Sequence, residues 1–159
     1  MADSIVLVPV QDQESVATAR ARFREYADAI GVDLEYQGFA AELAALPSPY
    51  VPPSGALLIA KVNGDTAGCV AMRRIDEHTG EMKRLYVRPE FRSFGIGRYL
   101  IDAVILAARG AHYAALRLDT LPSMTAAQGL YRKLGFVEIP AYNAMHLPGT
   151  RFYELKLAG

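Results

Sequence analysis

A chain of 159 residues, 52% hydrophobic and 21% charged, has the composition of an ordinary globular protein. It is long enough to bury a full core, so one domain over 1–159 is the simplest division. Seventeen basic and seventeen acidic residues cancel, which argues against a nucleic-acid-binding face, and the lone Cys69 excludes an intramolecular disulfide.

The N-terminus carries acidic Asp3 and no basic segment, and no apolar run reaches the length of a membrane span. The expectation is a cytoplasmic protein with no membrane partner. Cys69 lies in the apolar run Ala67–Ala71 and reads as a small core hydrophobe.

Ile5–Val8, stopped by Pro9, reads as a first strand. From Glu14, the apolar positions Val16, Ala19, Phe23, Tyr26, Ala27 and Ile30 share one helical face, and Gly31 ends it. A short helix follows over Phe39–Leu46. The segment 47–55, with four prolines, suits neither helix nor strand. Ala56–Val62 and Thr66–Arg74 form a hairpin about Asn63-Gly64-Asp65. Glu81–Val87 is the next strand, reached through Thr79-Gly80 and stopped by Pro89. A helix runs from Gly97 to near Gly110, with Ile96, Leu100, Ala103, Val104 and Ala107 on its apolar face. Ala115–Asp119 alternates at the strand period. Ser123 is placed to cap a helix carrying Ala126, Ala127, Leu130, Tyr131 and Leu134, closed by Gly135. Phe136–Ile139 and Phe152–Leu157 finish as strands. This order predicts an α+β fold around one mixed sheet.

The strand–loop–helix passage from Glu81 to Leu100 is the most informative stretch. Gly95 and Gly97 stand where a strand passes into a helix. That arrangement aims bare backbone N–H groups at a helix N-terminus, where the dipole favours negative charge, with no Cβ in the way. It reads as a phosphate cradle, with Arg92 and Arg98 as counter-charge. A dinucleotide fingerprint would need glycine or alanine at Leu100. A P-loop would need Gly-Lys-Ser/Thr, which does not occur. Between Arg73 and Arg98, seven basic residues face four acidic ones, a skew that a polyphosphate ligand or a solvated strand face would produce.

Arg92-Ser93-Phe94-Gly95-Ile96-Gly97 resembles the Arg/Gln-x-x-Gly-x-Gly/Ala signature of the GCN5-related N-acetyltransferase (GNAT) superfamily. Ala127-Gln-Gly-Leu130-Tyr131-Arg-Lys-Leu134-Gly135-Phe136 is similar to that superfamily's Ala-x-x-Leu-Tyr-x-x-Leu-Gly-Phe block, and one strand separates the two motifs. The resemblance covers roughly residues 81 to 139 well and the chain ends poorly. It implies a single acetyltransferase domain. Its sheet would be mixed, mostly antiparallel and of about six to seven strands, with helices on both faces and a splayed strand pair at the cofactor. It also implies acetyl-coenzyme A as acetyl donor, no metal, a small-molecule or amino-acid-like amine as acceptor, and a possible homodimer. The motif loop, from Arg92 through Ser93, Phe94, Gly95, Ile96 and Gly97 to Arg98, would hold the pyrophosphate. The backbone of Leu85, Tyr86 and Val87 would line the pantetheine arm, with the Val87 N–H facing the oxyanion. One departure stands out: Met124 replaces the asparagine that many members carry seven positions before the tyrosine.

The resemblance makes Tyr131 the acid for the departing thiolate; read from its position alone it is a core tyrosine. Glu81, eleven residues before Arg92, matches the base glutamate of histone-acetyltransferase members. A carboxylate at a strand edge beside apolar neighbours can have its pKa raised toward neutrality. A solvent-facing glutamate paired with arginine, or a water chain as base, are the alternatives. Lys83, Arg84 and Arg88 either reach phosphates or are solvated charges. His78, His112 and His146 show no metal-ligand spacing. The rival function is a non-catalytic acyl-coenzyme A sensor. The loop around Tyr50 and the segment Tyr142–Arg151 are the candidates for choosing the acceptor.

Overall fold

The computed structural model describes residues 3–157. In chain order it contains β1 (Ile5–Pro9), α1 (Gln13–Ile30), α2 (Phe39–Ala45), β2 (Ala56–Val62), β3 (Asp65–Asp76), β4 (Thr79–Val87), α3 (Ile96–Gly110), β5 (Ala115–Thr120), α4 (Thr125–Lys133), β6 (Val137–Ile139) and β7 (Arg151–Lys156). Short 3-10 helices precede α2 at Leu34–Gln37 and α3 at Pro89–Phe94. The strands form one seven-stranded sheet in the order β1-β2-β3-β4-β5-β7-β6. Only the β4–β5 contact is parallel; the other neighbours run antiparallel.

Two apolar layers sandwich the sheet. On one face α1 and α2 bury Ala19, Phe23, Phe39 and Leu43 against Leu57, Ile59, Cys69, Ala71 and Tyr86. On the other, α3 and α4 cover Val70, Met72, Met82, Leu116 and Leu118. Ile96, Leu100, Ile101, Val104 and Ala108 of α3 are buried. Each large one stabilises the fold by about 1.5–3 kcal/mol relative to exposure, enough to fix the helix carrying the glycine loop.

Local chemistry sets the element ends. Asp12 caps α1, accepting from the Ser15 N–H at 2.7 Å, while the Ser15 hydroxyl accepts from the backbone of Asp12. Gly31 closes α1 in the left-handed region at φ 67°. The β2–β3 hairpin turns on Asn63 (φ 51°) and Gly64 (φ 88°), as a primed two-residue turn requires.

Most boundaries move by one or two residues from the sequence reading, and two of the differences have a local cause. Ser123 does not cap α4. Met124 occupies that position without a side-chain capping bond, because the Met124 N–H closes a tight turn onto the Leu121 carbonyl at 3.0 Å. The same carbonyl accepts from Gln128 Nε2 at 2.8 Å, and Ser123 stays inside the turn. Phe136 precedes β6 rather than starting it; it packs its ring 5.7 Å from that of Tyr131.

Candidate active site

The site begins as a fault in the sheet. β4 and β5 pair only at Thr79–Ala115, Gly80–Leu116 and Glu81–Arg117. Beyond Glu81 the strands diverge, and one edge of Met82–Val87 has no strand beside it. A bulge in β4 sits at the divergence: Lys83 faces Ala71 and Tyr86 faces Cys69, so Arg84 and Leu85 together oppose Val70. Arg84 adopts φ 60°, a conformation costing a non-glycine residue roughly 1–2 kcal/mol. Its guanidinium makes a two-pronged bond to Glu42 of α2, at 3.0 and 2.7 Å, with both side chains buried. It also stacks over Phe39 at 5.3 Å. Arg84 is therefore a fold residue and reaches no phosphate.

Past the bulge, Leu85 lines the gap. Tyr86 turns its ring to the α1 side, where its hydroxyl donates to Glu25 at 2.7 Å. The Arg88 N–H bonds the Ala67 carbonyl at 2.8 Å. By antiparallel alternation the Val87 N–H then points away from β3, into the opened side.

The glycine loop stands at the outer end of the gap. Gly95 takes φ 72° and opens α3. The first intrahelical bond runs from the Tyr99 N–H to the Gly95 carbonyl at 3.3 Å, so the N–H groups of Ile96, Gly97 and Arg98 have no acceptor in the helix. A Cβ on Gly95 would meet nothing within 4 Å. One on Gly97 would meet nothing closer than Leu130 Cδ2 at 3.5 Å. These glycines leave space that the protein does not fill, as a cradle for a phosphate group requires. Ser93 and Phe94 belong to the preceding 3-10 turn, where Phe94 packs 5.9 Å from Phe91. Arg92 donates to the Val87 carbonyl at 3.2 Å and has no acidic partner among the described residues. Arg98 pairs along its own helix with Asp102 at 3.0 Å. The basic skew is thus mostly answered from within the protein, by Glu42, Glu25, Glu81 and Asp102.

Two hollows meet in the gap. A narrow slot of about 40 Å³ runs past Leu85, Leu118, Met124 and Tyr131. A wider cavity of about 340 Å³ opens on the α1 and α2 side, lined by Tyr50, Arg73, Glu81 and Asn143 among others. Tyr36, Gln37, Lys83 and Asp119 border both. The loop around Tyr50 and the segment after Tyr142 both reach this cavity, through Pro49 and Tyr50 and through Asn143 and Met145.

Tyr131 enters the slot from α4. Its ring packs against Phe136 and Tyr153, and its hydroxyl forms no protein hydrogen bond among the described residues. Burial pushes its pKa well above the ordinary tyrosine value, so the group stays protonated over a wide pH range.

Glu81 is not at a strand edge. It lies mid-sheet between Arg73 and Arg117, 2% exposed. Its Oε1 accepts from Arg73 Nε at 2.8 Å and its Oε2 from the Tyr142 hydroxyl at 2.6 Å. Burial, then the Glu81 charge, pushes the Tyr142 hydroxyl far up in pKa, so Tyr142 remains a donor.

Asp119, which sequence reasoning left as the last residue of a strand, stands at the junction of slot and cavity. Burial raises its carboxyl pKa, the effect being opposed by Lys83. It makes no ion pair among the described residues. Alternation alone gave no sign of this role. Cys69 is fully buried, its thiol pushed up to about 12 by burial, and is inert at neutral pH. Among the described residues no three His, Cys, Asp or Glu side chains gather as a metal site, and no helix is long and apolar enough to cross a membrane.

A parallel strand pair splayed over a glycine-led helix, with a slot at the split, defines an acyl-coenzyme A-dependent transferase fold. Residues 53–138 match the acetyltransferase (GNAT) domain family, and the chain belongs to it. The chain is 35% identical over 137 residues to an uncharacterized N-acetyltransferase of Schizosaccharomyces pombe, covering 85% of this chain and 84% of that one. It is also 35% identical over 99 residues to the human N-acetylaspartate synthetase, covering 62% of this chain and 33% of that protein. The crystal structure of a GNAT-family acetyltransferase from Staphylococcus aureus superposes with TM-score 0.81 at 21% identity, covering 98% of this chain and all of that one. The activity class is N-acetyl transfer.

Proposed function

We propose that the protein moves the acetyl group of acetyl-coenzyme A directly onto the amine of a small, amino-acid-like acceptor. The observation that carries this reading is the junction at the β4–β5 split. There a narrow slot meets a larger cavity, with Tyr131, whose hydroxyl is unbonded among the described residues, on one side and Asp119, in no ion pair among them, on the other. The similarity to a protein named N-acetylaspartate synthetase supports an amino-acid-like acceptor.

The residues of the loop fit the donor. The N–H groups of Ile96, Gly97 and Arg98 have no acceptor within the helix, the space beside Gly95 and Gly97 is open, and Arg92 lacks an acidic partner among the described residues. Bound there, acetyl-coenzyme A would supply an activated acyl carbonyl and a thiolate leaving group. Val87 would offer its outward N–H to the carbonyl oxygen as charge builds there. Tyr131 would protonate the sulfur. Glu81 enters as the group that fixes Arg73 and Tyr142 on the cavity floor. Both of its oxygens are engaged, so the proton leaving the acceptor nitrogen goes to Asp119, which is at the junction and is not paired.

Thiol release from acetyl-coenzyme A, followed across a panel of amines and amino acids, tests the reading. At least one acceptor should raise the rate well above hydrolysis and yield an equal amount of amide. Binding of acetyl-coenzyme A with no acceptor-dependent thiol release would overturn it.

A further inference from the structure

The register that sets Glu81 opposite Arg117 would set Lys83 opposite Asp119, two residues further along both strands. In an unbroken sheet these two would form a cross-strand ion pair. The splay prevents it. No contact within 4.0 Å joins Lys83 to any carboxylate among the described residues, and Asp119 has no basic partner at that range either. A bulge in the β3–β4 pairing follows directly on Lys83.

The other charges that face this junction are accounted for. Arg73 of β3 and Glu81 of β4 bond each other. Arg84 of β4 and Glu42 of α2 do likewise, as do Arg117 of β5 and Glu154 of β7. Tyr26 of α1, Tyr36 and Tyr50 on either side of α2, Tyr131 of α4, Tyr142 and His146 are the other titratable groups around it among the described residues. Lys83 has only a long contact to Gln37 Oε1 at 3.4 Å. It is largely buried, and burial pulls its pKa below the ordinary lysine value. One positive and one negative group therefore border the same hollow, each poorly hydrated and neither neutralised.

We infer that this divided pair recognises a zwitterionic acceptor, a compact primary amine that also carries a carboxylate. Asp119 receives the ammonium and Lys83 the carboxylate. The substrate then restores the charge balance that the splay removed, and its nitrogen is held beside the slot. This rests on the proposed acetyl transfer and adds the two side chains that read the acceptor's charges and its need for a free carboxylate. The steps balance as follows. The ammonium loses one proton to Asp119, and the nitrogen lone pair forms the N–C bond as the C–S bond breaks. The second nitrogen proton is released as the amide forms, and the sulfur takes a proton from Tyr131, which is then reprotonated. The net products are amide, thiol and one proton.

The test compares each free α- or β-amino acid with its own carboxamide, which keeps the ammonium and loses the negative charge. Thiol release should favour the free acid over its amide by roughly 10- to 100-fold in kcat/KM, the worth of a charge-assisted contact. Lys83→Met and Lys83→Gln, checked for an unchanged melting temperature and acetyl-coenzyme A affinity, should collapse that ratio toward one. Amides or carboxylate-free amines turned over as well as the acids by the wild type would overturn the zwitterion inference and leave acetyl transfer standing. So would a ratio unaltered in both Lys83 variants. Failure of every amine to release thiol would remove acetyl transfer itself, and this inference with it.

Discussion

Replacing Tyr131 with phenylalanine deletes one oxygen and keeps the ring against Phe136 at 5.7 Å and Tyr153 at 6.1 Å. A hydroxyl that satisfied a core partner would cost about 1 kcal/mol when removed. This one bonds nothing among the described residues, so stability should stay within about 0.5 kcal/mol, less than ~2 °C in Tm for a chain of this size. If the hydroxyl protonates the leaving sulfur, turnover should fall by roughly 10²-fold, about 2.7 kcal/mol of barrier, with acetyl-coenzyme A affinity unchanged within a few-fold. The pH dependence sharpens the expectation. A tyrosine at its ordinary pKa of 10.0 would ionise near that pH and the deficit would shrink. Burial holds Tyr131 well above that value, so the deficit should be constant from neutral pH to about pH 10. The measurement is turnover against pH for both proteins, with melting curves and calorimetry alongside. Equal turnover at neutral pH, or a deficit that vanishes on approach to pH 10, would refute the argument.

Other substitutions probe the remaining parts of the site. Gly97→Val places branched carbon over the loop, 3.5 Å from Leu130 at its first atom; coenzyme A affinity should drop at least tenfold, about 1.4 kcal/mol, in a folded protein, and calorimetry showing wild-type affinity would remove the cradle assignment. Asp119→Asn should abolish the acidic limb of the pH–rate profile, a limb displaced above the ordinary carboxylate range because burial raises the Asp119 pKa, and so acting as pH falls. Glu81→Gln should keep that limb while losing activity through Arg73 and Tyr142; the reverse pattern would return the base role to Glu81. Glu42→Ala leaves the buried Arg84 guanidinium unpaired and should cost about 3–5 kcal/mol in denaturant unfolding, whereas a cost under 1 kcal/mol would show that the bulge needs no such clamp.

The parts of the site legible in sequence were those whose physics is local. The glycine spacing, the helix periodicity after it and the tyrosine block on α4 each depend on residues within one or two turns. The Arg73–Arg98 skew misled because its partners are distant: Glu25 and Glu42 meet Arg88 and Arg84 only once α1 and α2 fold over the sheet. The strand-edge placement of Glu81 failed in the same way, since β5 pairs beside it and Tyr142 reaches it from far along the chain. Asp119 carried no mark at all. Its meaning comes from where two strands part, a point that nothing in the local pattern of Ala115–Thr120 marks. Ser123 failed as a cap because a turn at Leu121 claimed the backbone first.

The bulge at Arg84 also sets a parity rule for the chain. Glu81 and Lys83 face the α1 side, as strand alternation requires, but so do Arg84 and Tyr86, while Leu85 and Val87 face α3. One extra residue has shifted the alternation for everything downstream. Deleting Arg84 would leave Leu85 alone opposite Val70, with Tyr86 still on Cys69 and Val87 still on Gly68. The strand would run regular and keep its facing, and only the clamp to Glu42 would go. The extra residue is spare length that gives one arginine a direction the pleat would deny it.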